Sequence, residues 1–466
     1  MDSLFGVPTT DLARVLAAAS AFVLLGLGLV GLRRRTLMKL GLRNAARRPL
    51  RSIVIVVGLM LSTVVIATAF STGDAMTLTV RSLITGSIGR VDEIVTASPN
   101  DPTQVSRRSL DNLASGGALM QGGTPYFDES QFATVSQAAG KSHAIAGVMP
   151  AILEQAPAAA AGSQLIHPGI GLLALPAQMA TGFSPLRDTA GGVRTIAALG
   201  ATEVYLNRAA ADTLSSGTGQ QLQVYLAPPG AQPGTPPVAT TLTVAAVVKN
   251  GDLAGAQPTI FLSIAAMQQL RSEPGQINQI LVVNRCSASA ACSHQAALDL
   301  RKTLVNRDAA AQILQALNSS NGRSVLNGLI ARRNGPGQAQ IRDLLRTVEH
   351  GKVSDHLIYL LGDPQVAGTL RATASFLPTQ NGRAGRLLRN LNELTVVEVK
   401  QSALDQANQY GSILTSSFLV LGLFSIAASL LLVFLVFVML AAERRGEMGV
   451  ARAVGLQRAH LVQSFA

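Results

Sequence analysis

The chain has 466 residues, a net charge of +12, 48% hydrophobic residues and a mean hydropathy of +0.32. That is too apolar for an ordinary soluble protein and not apolar enough for helices throughout, so it predicts a few membrane spans and one large water-facing portion. The positive charge does not point to nucleic acid: much of it flanks apolar runs, where it fixes orientation, and no Lys/Arg stretch is interleaved with stacking aromatics.

Residues 1–14 are short and polar. Val15 to Leu32 is uncharged and ends at Arg33-Arg34-Arg35. A secretory signal carries its positive charge ahead of the apolar run, not after it. Residues 15–32 therefore read as a transmembrane helix whose N-terminus, 1–14, is extracytoplasmic. Residues 33–52 hold Arg33, Arg34, Arg35, Lys39, Arg43, Arg47, Arg48 and Arg51 and no acid, the composition of a short cytoplasmic loop. Leu37, Leu40 and Leu42 give it an apolar side, which predicts a helix lying along the inner membrane surface. Pro49 marks a boundary there, since proline suits a helix start and disfavours helix in the residue before it.

Residues 53–73 form the second predicted span, leading outward to Asp74. The third is 411–442. From Phe418 to Ala442 it runs without a charge, and Glu443-Arg444-Arg445 follows at once. About 25 uncharged residues at 1.5 Å each exceed the ~30 Å hydrocarbon layer, so a tilted helix crosses it. Residues 443–466 then lie inside, with Arg444, Arg445, Arg452 and Arg458. The topology reads out, in, out, in.

Between the second and third spans lies one long extracytoplasmic insertion. Long loops translocate regardless of charge, so its basic residues do not contradict this. Residues 74–294 predict an α+β core domain. Strands are expected at Val91–Ala97, Glu203–Leu206, Leu222–Leu226, Thr241–Val248 and Ile277–Val283, with helices at Asn207–Leu214 and Ile260–Arg271. Gly116-Gly117 and Gly122-Gly123 read as loop, as does the proline-rich 227–237, which lacks the N–H groups a sheet needs. Residues 295–410 predict a helical region or stalk: 298–317 has helical spacing, 354–374 and Arg383–Leu391 continue it, and an amphipathic Thr395–Gln409 feeds the third span. The fold class is thus a membrane protein, with α-helical spans and a large α+β extracytoplasmic domain and helical stalk inserted between them.

Chemistry-bearing motifs are few. Gly140-Lys141-Ser142 resembles the end of a phosphate-binding loop, but the glycine required five residues before Gly140 is Val135. No Gly-x-Ser-x-Gly nucleophile elbow is present. His350 and His356 are six apart rather than the four that place two ligands on one helical face, and read as surface residues. Cys286 and Cys292 are too few for a zinc site. If their segment lies outside the cytoplasm a disulfide fits their short separation; otherwise they are two free thiols. No catalytic residue, metal site or cofactor is nominated.

Two stretches resemble a known family. Residues 40–62 carry Arg43, Asn44, Arg47, Arg48 and Arg51 ahead of a span. Residues 441–465 carry Glu443, Arg444, Arg445, Glu447, Met448, Gly449, Arg452, Ala453, Val454 and Gly455 after one. Both are similar to FtsX-like permeases, the membrane subunits of type VII (MacB-like) ABC systems. The phrases EVYLNRAAADTL, LQVYL, TLTVAAVV and INQILVV are similar to that family's periplasmic core domain. The resemblance implies a plasma (inner) membrane permease subunit that is itself no enzyme. A separate ABC-type ATPase subunit binds ATP and pushes on the segment from Glu443 to Gly455, the spans relay the movement outward, and a second permease unit completes a dimer. Gly446, Gly449 and Gly455 would let the chain turn below the bilayer. Val450, Val454 and Leu461 would give one apolar side. The arginines would face an acidic surface or lipid phosphates, although a plain positive-inside flank also accounts for them.

The chain departs from the family at three points. The span 15–32 is an addition, residues 295–395 match nothing in it, and the family's two further spans would follow Ala466. The chain is therefore expected to be a fragment of a longer permease. Two other classes stand beside this one. A membrane-tethered regulator or sensor, in the manner of FtsX-like control of a cell-wall hydrolase, fits the same motifs. An anchored enzyme lacks a catalytic constellation.

Overall fold

The structure is a computed structural model that describes residues 90–98, most of 124–331, 338–373 and 391–405, with isolated positions elsewhere. The chain divides into two units, one of Thr77–Tyr410 and one of Met1–Met76 with Gly411–Ala466.

In the second of these, Ser3–Leu4 and Val7–Pro8 pair as a short antiparallel ribbon. The stretches 15–32, 53–73 and 411–442 fall almost wholly outside the described residues. Among the described residues no helix is long and apolar enough to cross a membrane. The isolated positions that are described there are helical and exposed, among them Phe22, Met60, Phe424, Leu431, Phe434 and Met439.

The Thr77–Tyr410 unit is built on a nine-stranded sheet. In chain order its strands are β1 (Glu93–Ala97), β2 (Ile145–Ala160), β3 (His167–Leu175), β4 (Glu203–Asn207), β5 (Gln221–Leu226), β6 (Val238–Val248), β7 (Thr259–Ser263), β8 (Gln279–Asn284) and β9 (Leu394–Val397). The helices are α1 (Gln131–Lys141), α2 (Arg208–Leu214), α3 (Ile264–Arg271), α4 (Ala290–Leu304), α5 (Arg307–Asn318), α6 (Ser320–Ala331), α7 (Gln338–Glu349), α8 (Asp355–Leu361) and α9 (Pro364–Thr373).

The sheet order is β5-β6-β4-β7-β3-β2-β8-β1-β9, and β5 also pairs with β2. Six strands therefore close on themselves, while β8, β1 and β9 extend from the other half of β2. The 16-residue β2 serves both parts: Ile145–Ala151 pairs with β8, and its later residues pair with β3 and β5. Its register with β3 shifts between Ala156 and Ala158, around Pro157, which has no N–H to give the ladder.

The sheet has an apolar core on each face. On one, Val95, Ile280 and Val282 pack with Ala296, Ala297 and Leu300 of α4. On the other, Ile94, Leu281 and Val283 pack with Val399 and Ala403 of the helical turn pair at 399–405. Every residue of β8 is buried as a result. A third core unites α5 to α9 through Ile313, Leu317, Leu326, Leu344, Leu357 and Leu361.

Several boundaries differ from the sequence expectation. Thr259–Ser263 is a strand, not the start of a helix; it pairs parallel with β3 and antiparallel with β4. Its apolar residues are buried on both faces, and a short buried strand has no period to separate it from helix. The helix begins where Ser263 Oγ accepts from Ala266 N at 3.1 Å. Thr395–Val397, expected as amphipathic helix, belongs to β9, which pairs antiparallel with β1. The sheet thus takes its last strand from within 295–410, so the helices form an insertion between β8 and β9 rather than a stalk. The strands β2 and β3 and the helix α1 were not foreseen as elements. Gly140 and Lys141 close α1 instead of opening a helix, the reverse of a phosphate-binding loop. Gly116-Gly117, Gly122-Gly123, most of 227–237 and most of Arg383–Leu391 lie outside the described residues.

Candidate functional site at the paired terminal strands

Among the described residues, the first strand of the Thr77–Tyr410 unit, β1, and the last, β9, are hydrogen-bonded neighbours. Val95 lies opposite Val396 and Ala97 opposite Leu394. Beyond them in sequence the chain runs to 53–73 on one side and 411–442 on the other. Both connections of the domain therefore leave from one place. A buried polar cluster ties them together.

Asp92 and Glu93 are adjacent, so in an extended chain they point to opposite faces, and this strand is covered on both. Asp92 takes the face of 399–405. Its Oδ1 accepts from Lys400 Nζ at 2.9 Å and its Oδ2 from the Asn284 backbone N–H at 2.8 Å. The Lys400 N–H donates in turn to the Asp92 carbonyl at 3.2 Å. Both side chains of this pair are buried, Asp92 to 2% exposure and Lys400 to 10%.

Glu93 takes the face of α4. Its Oε1 accepts from Asn284 Nδ2 at 2.7 Å and from Ser293 Oγ at 2.5 Å. Its Oε2 has no hydrogen-bond partner. Burial, only partly offset by these two hydrogen bonds, pushes the carboxyl up to about 8. Glu93 is therefore a neutral acid at pH 7.

Arg301, at 1% exposure, joins the helical insertion to β9. It donates from Nη2 to the Val396 carbonyl and from Nη1 to the Tyr359 carbonyl, each at 3.0 Å. Nη2 also lies 3.2 Å from Glu398 Oε1. The guanidinium sits 4.4 Å from the Tyr359 ring centroid, and Tyr359 Oη donates to Glu398 at 2.8 Å. Burial raises Glu398 above the usual carboxylate range, against the pull of Arg301. Gly362 lets α8 end this close: a Cβ there would stand 2.9 Å from Arg301 Cδ. The edge is finished by Asn392 Nδ2, which donates to the Leu394 carbonyl, and by Ser98 Oγ and Thr395 Oγ1, which lie 2.7 Å apart.

A cleft of about 530 Å³ lies beside this cluster, between α4, α7 and α8, with His294, Arg342, Asp343, Arg346, His356 and Tyr359 on its walls. His356 Nε2 is 2.8 Å from Asp343 Oδ2. His350, exposed at the end of α7, is not among the lining residues. Among the described residues no group of three or more His, Cys, Asp or Glu is placed to hold a metal.

Cys286 and Cys292 form a disulfide with Cα atoms 6.0 Å apart, closing the turn between β8 and α4. Arg43, Asn44, Arg47, Arg48, Arg51, Glu443, Arg444, Arg445, Glu447, Met448, Gly449, Arg452 and Gly455 lie outside the described residues; Ala453 is helical and exposed.

The buried cluster escaped the sequence reading, yet it leaves signals. Two consecutive acids open an apolar strand. Arg301 falls one position after Leu300, on the buried stripe of α4 with Ala297.

No family model and no curated protein matches the chain. Among solved structures it is similar to the periplasmic region of MacB from Actinobacillus actinomycetemcomitans, at 11% identity and a TM-score of 0.26, over 47% of this chain and 84% of that one. It is similar too to the extracellular domain of the noncanonic ABC-type transporter YknZ from Gram-positive bacteria, at 13% identity and a TM-score of 0.26, over 45% of this chain and 92% of that one. Likenesses this slight carry no functional assignment.

Proposed function

We propose that the chain is the membrane subunit of an ABC-type transporter, which converts ATP hydrolysis by a separate ATPase subunit into movement of an extracytoplasmic domain. One observation carries the reading: the domain's first and last described strands are neighbours in one sheet, joined by the buried Asp92–Lys400 pair. A pull or twist arriving through either connection is then delivered to the sheet rather than dissipated in a loop. Three further features support it. The segment from Glu443 to Gly455 resembles the coupling sequence of FtsX-like permeases. The Cys286–Cys292 disulfide suits an oxidising compartment. The exposed apolar side chains at Phe424, Leu431, Phe434 and Met439 suit a lipid surrounding.

The test is co-expression of the full chain with candidate ABC-type ATPase subunits from the same organism. The ATPase should copurify, and its activity should rise with the chain present. Glu447→Ala with Arg452→Ala should abolish that rise. Unchanged stimulation by the double variant would contradict the reading.

The cleft between α4, α7 and α8 favours a second reading, a membrane-tethered regulator whose extracytoplasmic domain binds an envelope ligand. Loss of an envelope hydrolase activity on deletion, with export intact, would select it.

A further inference from the structure

The Cys286–Cys292 disulfide joins the end of β8 to the first turn of α4 across a sequence separation of 6. The residues that flank it share one partner. Asn284, the last residue of β8, and Ser293, in the first turn of α4, both donate to Glu93 Oε1, at 2.7 and 2.5 Å. That first turn has no side-chain cap. The helices α2, α3, α5 and α8 open on Asn207, Ser263, Asn306 and Ser354, each of which accepts from a backbone N–H of its helix. Ser289, ahead of α4, makes no such bond. The Cys292 and Ser293 amides both donate to its carbonyl at 3.1 Å. The two sulfurs also differ in access: Cys286 is exposed, whereas Cys292 is 8% exposed. A bond that closes a short loop restricts the unfolded chain less than one closing a long loop, so this one acts on the turn more than on the domain.

From this arrangement we propose that Cys286–Cys292 is a thiol–disulfide exchange site, through which a dithiol reductant releases the first turn of α4 and with it the hold of Ser293 on Glu93. A thiolate of the reductant attacks the exposed Cys286 Sγ. The S–S bond breaks, its electron pair leaves on Cys292 Sγ, and a solvent proton completes that thiol. Cys292 suits the leaving role, because the N-terminal end of a helix favours negative charge. The reductant's second thiol then displaces Cys286 from the mixed disulfide. Two thiols form on this chain and one disulfide on the reductant, a two-electron exchange. The redox state is thus passed to β1, the strand that pairs with β9. The inference does not depend on the transporter reading, since it uses only residues of the large domain.

The experiment treats the full chain in detergent with dithiothreitol, without denaturant, and follows alkylation of the two cysteines and backbone hydrogen exchange by mass spectrometry. Both cysteines should be alkylated at a rate proportional to the dithiol concentration. Exchange at Cys292 and Ser293 should then quicken at least tenfold, while exchange over Gln279–Asn284 changes less than twofold, and reoxidation should restore the slow exchange. Cys286→Ser with Cys292→Ser should show the fast exchange without dithiol and gain nothing from its addition. Should that variant fail to fold, the reduced parent chain decides alone. Three results would overturn the proposal: alkylation only in denaturant, alkylation that leaves exchange at Cys292 and Ser293 unchanged, or exchange that quickens equally across the whole sheet.

Discussion

Glu93 is the residue whose chemistry departs furthest from its ordinary behaviour. In the folded chain burial holds its proton to about 8, against 4.5 ordinarily. Between those values the folded form keeps a proton that the unfolded chain has released, so stability falls as pH rises through the window and levels off above about 8. Glu398, raised for the same reason, adds to this slope. His294, pulled down mainly by burial, acts in the opposite sense only below pH 6.5. Thermal unfolding of Glu93→Gln at pH 7 and 8 should therefore show a flatter pH dependence than the parent; an unaltered slope would mean that Glu93 is ionised in the fold. The neighbouring pair gives a second prediction. Lys400→Met deprives buried Asp92 of its cation and should cost about 3–5 kcal/mol. Adding Asp92→Asn should recover part of that loss, as a double-mutant cycle would register.

At the scale of elements, Arg301 is the side chain that bonds the helical insertion to the β9 backbone. Arg301→Lys keeps the charge but not the fork that reaches two carbonyls on different elements. The loss of one or two hydrogen bonds and of the stacking on Tyr359 should total about 2–3 kcal/mol, measured by chemical unfolding. The turn between α5 and α6 is equally exacting. A Cβ on Gly322 would lie 2.6 Å from Leu317 Cα and closer still to the Ala316 carbonyl, backbone atoms that cannot move aside. Gly322→Ala should cost about 1–3 kcal/mol. Elements with a clear period were legible in the sequence. Val238–Val248 alternates with water on one side over much of its length, and α5 carries Ala309, Ile313 and Leu317 on one stripe. Thr259–Ser263 and Leu394–Val397 were not, because strands buried on both faces lose the alternation that identifies a strand. Asn207 shows how a boundary becomes fixed only in three dimensions. Its Oδ1 accepts from Ala210 N at 2.8 Å, capping α2, and from Thr259 N at 2.9 Å, so one side chain sets the ends of β4, α2 and β7 together.

Across the whole chain, what the sequence conveyed best was polarity along its length: apolar runs bordered by arginine and a large polar interior between two of them. It could not convey that residues 92 and 400 meet, because pairing between strands some 300 positions apart has no local signature. Nor could it place the cleft, whose walls come from α4, α7 and α8, helices separated in sequence and brought together only by the fold. The proposed function depends on the two sides of that polarity lying on opposite sides of a bilayer. Single cysteines at Ala201, exposed in the large domain, and at Ala453, exposed on its helix, make this directly measurable, with the native pair Cys286–Cys292 oxidised and silent. In sealed cells a membrane-impermeant maleimide should label Ala201→Cys at once and Ala453→Cys only after permeabilisation. Labelling of both positions before permeabilisation, or of neither, would contradict the account.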